Sequence, residues 1–177
     1  MAGDYTRRTY EDGEMIFEDG DRAGEAYLIN SGNVRIFKMD GREINEIDLI
    51  GPGDIFGEMG VISDMNRMAS AVAVGRTELN CCQRRELKRR VDALDEDMRD
   101  ALRFLIVYCQ EFLPFELMPN RPKNPETVKR DTIAYHLVKS SKKPGELDRL
   151  DVFLRGLYRV LVGYTERRLP PGFDPEA

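Results

Sequence analysis

The chain has 177 residues and a mass of 20.3 kDa, enough for one domain with a sizeable appendage. Hydrophobic residues make up 41% and charged residues 33%, which excludes a disordered chain and leaves a large solvated surface. With 27 basic against 32 acidic residues the formal charge is −5, which argues against a chain dominated by a nucleic-acid-binding field.

No apolar run reaches 18 residues, and no basic-then-apolar segment opens the chain. The expectation is therefore a cytoplasmic protein with neither membrane span nor signal peptide. The three cysteines, Cys81, Cys82 and Cys109, match no zinc or iron–sulfur spacing and read as buried, reduced thiols. Adjacent Cys81 and Cys82 on a strand point to opposite faces and cannot easily pair.

Up to about residue 84 the chain alternates short apolar runs with turn signals. The runs are 14–18, 26–30, 34–39, 44–50, 69–74 and 78–82. The turns are Asp19-Gly20, Ser31-Gly32-Asn33, Asp40-Gly41 and Gly51-Pro52-Gly53-Asp54. Strands at this spacing predict an all-β sandwich or barrel.

Beyond that point the period becomes helical. Leu94, Met98, Ala101, Leu105, Tyr108 and Phe112 fall on one face, predicting a helix over 94–113. Four prolines from Pro114 to Pro125 mark an irregular connection. Asn124-Pro125 reads as a cap and first turn of a helix over 125–140. A last helix is predicted over 148–168, and the tail from Leu169 reads as loose. The division is thus 1–90 for the β part and 91–177 for the helical extension. Laid on each other with an offset of 56, residues 91–111 and 147–167 are identical at seven of 21 positions, including Asp92/Asp148, Leu94/Leu150, Asp95/Asp151 and Arg99/Arg155. A duplicated α-hairpin and a chance likeness of two amphipathic helices both account for this.

The segment richest in chemistry is 56–70, Phe-Gly-Glu-Met-Gly-Val-Ile-Ser-Asp-Met-Asn-Arg-Met-Ala-Ser. Gly57 allows backbone to approach a ligand. Met59–Ile62 suits one helical turn with its amides turned to an anion. Arg67 supplies a donor fork matched to phosphate, and Glu58 an acceptor for sugar hydroxyls. One carboxylate, one guanidinium and free amides fit a ribose that bears a phosphate. Catalysis is not expected. His136 is the only histidine, it lies in an apolar helical stretch and reads as a packed residue, and no metal cluster or nucleophile motif is found.

Phe56-Gly57-Glu58 with Arg67-Met68-Ala69-Ser70 resembles the phosphate-binding cassette of cyclic-nucleotide-binding domains, as found in catabolite-activator-type regulators, cyclic-nucleotide-dependent kinases and gated channels. The glycine turns at 19–20, 31–32 and 51–54 agree, and the likeness covers about residues 8–90. It implies an α+β chain: an eight-stranded antiparallel, jelly-roll-like β-roll followed by helices. It further implies that Arg67 pairs with a cyclic phosphate and that Glu58 accepts the ribose 2′-hydroxyl. The backbone amides around Gly57–Met59 and Met68–Ala69 complete the cradle, and Ser70 stands near the sugar-phosphate or purine. Met68 departs from the family, where alanine, serine or threonine is commoner.

The implied ligand is cyclic AMP or cyclic GMP, with no other cofactor. The function expected is regulatory binding that signals through the helices to a protein partner or a second copy of the chain. The alternative is a ligand-free β-roll acting as a scaffold, in which Glu58 and Arg67 pair with each other. A DNA-binding regulator is a weaker fit, because 119–177 shows no basic recognition helix.

Overall fold

The computed structural model describes residues 5–110, 125–143, 145, 147, 148 and 150–176. Residues 111–113 of the helix expected over 94–113, and the proline-rich connection as far as 124, lie outside them. Two compact units divide after Arg89.

The first unit is a single antiparallel sheet plus two helices. Its elements are β1 (Thr6–Tyr10), β2 (Met15–Phe17), β3 (Glu25–Asp40), β4 (Glu43–Ile50), β5 (Ile55–Phe56), α1 (Glu58–Ile62), β6 (Ser70–Gln83) and the start of α2 (Arg84–Asp92). The strand order is β1-β6-β3-β4, with β2 also on β6 and β5 also on β3. The described residues thus hold six strands rather than the eight expected.

Two pairs of the six anticipated runs continue as one strand each, while β1 and β5 lie outside those runs. β3 and β6 stay hydrogen-bonded from Glu25↔Gln83 to Phe37↔Ser70, and the ladder slips between Ile29 and Asn33 instead of breaking. Gly32 stands at this corner with φ 81°, and a Cβ there would lie 2.5 Å from both the Arg76 carbonyl and Thr77 Oγ1. Gly75, with φ 69°, serves the partner strand. Both corners bend the sheet as bulges do; at Gly32 a turn had been expected.

The β core holds Tyr27, Ile29, Val34, Phe56, Ala71, Leu79 and Cys81, with Tyr10, Ile16, Phe17, Ile36 and Ile50 packed against it. Ala26 and Leu28, which alternate with these in β3, are also buried, so this part of the strand is covered on both faces. Each fully buried Leu, Ile or Phe contributes about 1.5–3 kcal/mol. Edge strand β4 is exposed from Glu43 to Leu49, and its Glu43, Glu46 and Asp48 give the free edge the charge that discourages pairing with another chain.

The second unit contains α3 (Glu96–Gln110), α4 (Pro125–Ser141) and α5 (Val152–Arg168), with α5 against both of the others. Its buried residues, Phe153, Leu154, Gly156, Leu157, Tyr158, Leu161, Val162 and Thr165, span too wide an arc for a surface stripe and make α5 the central helix. α4 buries Asp131, Ala134 and Val138, a narrow stripe. His136 falls on the opposite side and is exposed, which corrects the expectation of a packed residue. The tail, expected to be loose, makes contacts with α4. Phe173 meets the ring of Tyr135 edge-on at 6.3 Å, and Glu176 pairs with Lys139 at 3.0 Å.

Much of the internal sequence likeness is a repeated helix entry. Asp95 accepts from the Met98 amide, and Asp151 from the amides of Phe153 and Leu154. Arg99 reaches back to the carbonyls of Asp92 and Leu94, and Arg155 to those of Asp148 and Leu150. Four of the seven identities therefore serve one capping arrangement built twice.

Candidate functional site

The site is built where β5 ends and β6 begins. After Phe56 the chain turns at Gly57, whose φ of 70° is left-handed, and enters α1 directly. A side chain at Gly57 is excluded by contact as well as by conformation: a Cβ would lie 2.6 Å from Arg67 Nη1 and 3.3 Å from the Phe17 ring. Glu58 opens α1 and is 1% exposed, and Met59 follows at 5%. Gly60 lets the turn seat on the loop before β3, since a Cβ there would come within 2.5 Å of the Ala23 methyl.

Arg67 is 5% exposed, an unusual depth for a guanidinium. Its Nη1 donates to the Gly57 carbonyl at 2.6 Å and its Nη2 to the Glu25 carbonyl at 2.7 Å. The guanidinium lies over the Phe17 ring, 4.1 Å from the centroid, and 5.5 Å from that of Tyr27. Phe17, Tyr27 and Phe56 stack on one another with centroids 5.0–5.9 Å apart. Burial lowers the pKa of Arg67, while the charges of Tyr27, Glu25 and Glu58 act the other way. A guanidinium starting above 12 stays charged throughout.

Main-chain bonds zip the arm that carries Arg67 onto the loop between β2 and β3. The Arg67 amide donates to the Asp21 carbonyl at 2.7 Å, and its carbonyl accepts from Gly20 at 2.9 Å. Asn66 bridges to Arg22, and Ser70 Oγ accepts from the Asp19 amide at 3.0 Å. Ser70 is buried, whereas Met68 and Ala69 are half-buried.

The structure thus brings Gly57 and Arg67 into contact and buries Glu58, Met59 and Ser70 in the same cassette. It also shows partners that sequence reading did not single out: Glu25, through its carbonyl, and Phe17 and Tyr27, through their rings. Phe17 and Tyr27 were visible only as members of predicted strands, and Glu25 lies just before one. Glu25 is further engaged, its carboxylate paired with Arg8 and accepting from the Tyr27 hydroxyl at 3.0 Å.

A bent antiparallel sheet carrying a short helix, a buried arginine and a buried glutamate on one strand-to-strand connection is a β-roll. Comparison with known proteins places it. Residues 7–93 match the family model of the cyclic nucleotide-binding domain, and this part of the chain belongs to that family, a binding rather than a catalytic one. The Cyclic AMP receptor protein of Thermus thermophilus is 45% identical over 76 residues, which cover 42% of this chain and 35% of that protein. The cAMP-dependent protein kinase type II regulatory subunit of Drosophila melanogaster is 34% identical over 76 residues, 42% of this chain and 20% of that one. The chain therefore spans about a third or less of the length of these curated relatives.

Among solved structures, the EAL enzyme Bd1971 in its halfsite-occupied form matches with a TM-score of 0.57 at 28% identity, covering 60% of this chain and 96% of that one. Its form bound to cAMP and cyclic-di-GMP matches with a TM-score of 0.53 at 25% identity, covering 73% and 33%. Among the described residues no helix is long and apolar enough to cross a membrane.

Proposed function

We propose that the chain is a regulatory receptor for a cyclic purine nucleotide, cyclic AMP or cyclic GMP, and that its helical unit passes the signal to a protein partner or a second copy of the chain. The observation that carries this reading is the burial of both ionisable cassette residues, Glu58 at 1% and Arg67 at 5% exposure, behind a left-handed Gly57. A guanidinium has five N–H groups. Arg67 uses two of them on carbonyls, and three remain for a phosphate. Glu58 accepts the ribose 2′-hydroxyl, and the amides of Gly57–Met59 and Met68–Ala69 complete the cradle. Ser70 retains hydroxyl capacity beyond the bond it accepts from Asp19. Ligand binding biases the population of the arrangement in which the cassette is tightened and the helices are set for their partner.

The test is calorimetric titration of the chain with cyclic AMP and cyclic GMP, repeated on Arg67→Ala. Heat with at least one nucleotide, lost in the variant, is expected. No heat with either at millimolar concentration refutes the receptor. A ligand-free scaffold is the second reading, favoured by the two main-chain carbonyls that already satisfy the ends of Arg67. It predicts silence in the calorimeter and a binding partner found without nucleotide.

A further inference from the structure

We propose that the outer face of the sheet formed by β2, β6, β3 and β4 is a docking surface for a second copy of this chain, packed face to face across a two-fold axis. The inference goes beyond the nucleotide reading and does not rest on it.

Strand register assigns the faces. Val34, Ala71 and Ala73 are buried, and Ile36 and Ile50 pack against the same core, so these positions mark the inner side. Successive residues of a strand alternate between faces, and residues directly opposite on paired strands share one. Arg35, Met39 and Val72 therefore fall on the outer side. Met15 stands opposite Val72, Leu49 opposite Arg35, Ile44 opposite Met39, and Glu46 opposite Phe37. Ile47 is the extra residue of a bulge in β4, since Ile36 pairs with Asp48 and Phe37 with Glu46.

This outer side is apolar where it meets water. Met15, Met39, Ile44, Ile47 and Leu49 are each between 42% and 62% exposed, and they are half of the ten large hydrophobic side chains exposed among the described residues. Single exposed hydrophobics are ordinary, whereas a gathered set marks a contact surface. Five such side chains at about half exposure leave roughly 500 Å² of apolar surface, and Arg35 and Glu46 bring the face near the ~800 Å² per partner that a stable interface buries.

Charge selects the occupant. The charged residues among these outer positions are Arg35 and Glu46, paired at 2.8 Å and both half-exposed. One charge of each sign offers a polyanion or a strongly basic partner nothing to hold. A two-fold axis beside the pair sets Arg35 of each copy against Glu46 of the other, so the face is complementary to itself. Glu43 and Asp48 on the free edge of β4 oppose pairing of edge with edge, which leaves stacking of sheet on sheet as the mode of contact.

The test is the oligomeric state of the whole chain, read by sedimentation velocity at about 100 μM without nucleotide. Wild type is expected to form a dimer. Leu49→Lys alters an exposed side chain and is expected to weaken the dimer about tenfold or more, with an unchanged circular dichroism spectrum. Arg35→Glu sets carboxylates against carboxylates across the contact, and Glu46→Arg sets guanidinium groups against guanidinium groups, so each variant alone is expected to sediment as a monomer. Mixed in equal amounts the two are expected to dimerise, because an acidic face then meets a basic one, and that recovery also shows both variants to be folded. The proposal is overturned by a monomeric wild type, by a mixture that stays monomeric, or by a dimer that all three substitutions leave intact, which assigns the contact to the helical unit. No nucleotide enters the measurement, so the outcome does not depend on whether the chain is a receptor.

Discussion

Replacing Gly57 by alanine tests whether the cassette is held by the contact between its first and last parts. Two costs arise. An alanine at φ 70° costs about 1–2 kcal/mol in backbone strain. The new Cβ, 2.6 Å from Arg67 Nη1, also pushes the guanidinium off the Gly57 carbonyl. Losing a hydrogen bond to a buried charged group costs about 1.5–3 kcal/mol more. Gly53 separates the two, because it has φ 90° and a Cβ there meets nothing within 4 Å. Gly53→Ala bears the strain alone. With a urea slope of about 2 kcal/mol/M for a unit of this size, Gly57→Ala is expected to unfold about 1 M earlier than Gly53→Ala. Urea titration with pulsed hydrogen exchange, read on peptides from residues 6–83 by mass spectrometry, follows the β unit without interference from the helices. Equal shifts for the two variants refute the claim that Arg67 is braced against Gly57.

Other consequences are open to simpler measurement. Asp151→Ala removes the acceptor for the amides of Phe153 and Leu154 and is expected to destabilise the helical unit by about 1–2 kcal/mol in thermal melts. Tyr108→Phe deletes a 2.7 Å hydrogen bond to the buried Asp131 carboxylate and is expected to cost about 1.5–3 kcal/mol, read from the denaturation midpoint. Burial raises the Cys81 thiol from 9.0 to about 11, and all three cysteines are buried and outside any disulfide. Native protein at pH 8 should therefore react only slowly with a disulfide reagent, and unfolded protein at all three thiols. The raised pKa makes the Cys81 contribution to stability complete below pH 9 and lost as pH climbs through 11, so a Cys81→Ala variant should show a flatter stability curve over that interval.

How far sequence reading reached depended on how local each signal was. Gly57, Glu58 and Arg67 were legible because the cassette is one contiguous segment whose residue types carry their chemistry with them. The existence of β2, β3, β4 and β6 was legible from apolar runs between turn signals, and that of β1 and β5 was not. Strand count was not, because Gly32 and Gly75 punctuate a sequence equally well whether the chain turns back or only bends within an unbroken ladder. The aromatic bed beneath Arg67 was hidden for a different reason. Phe17, Tyr27 and Phe56 come from three separate strands and meet only through pairing across the sheet. His136 was misplaced because its apolar neighbours in sequence lie around the whole of α4, whose buried stripe is only Asp131, Ala134 and Val138.

The zipper between the arm of Arg67 and the β2–β3 loop has a practical consequence. The Arg67 amide and the Gly20 amide are each tied to the other segment, so the main chain at Arg67 cannot shift toward a ligand without loading or breaking bonds at residues 20–21. Proton resonances of those two amides therefore make a built-in gauge. Their exchange with solvent reports the state of the cassette in solution, without any label placed in the pocket and before the identity of what fills it is known.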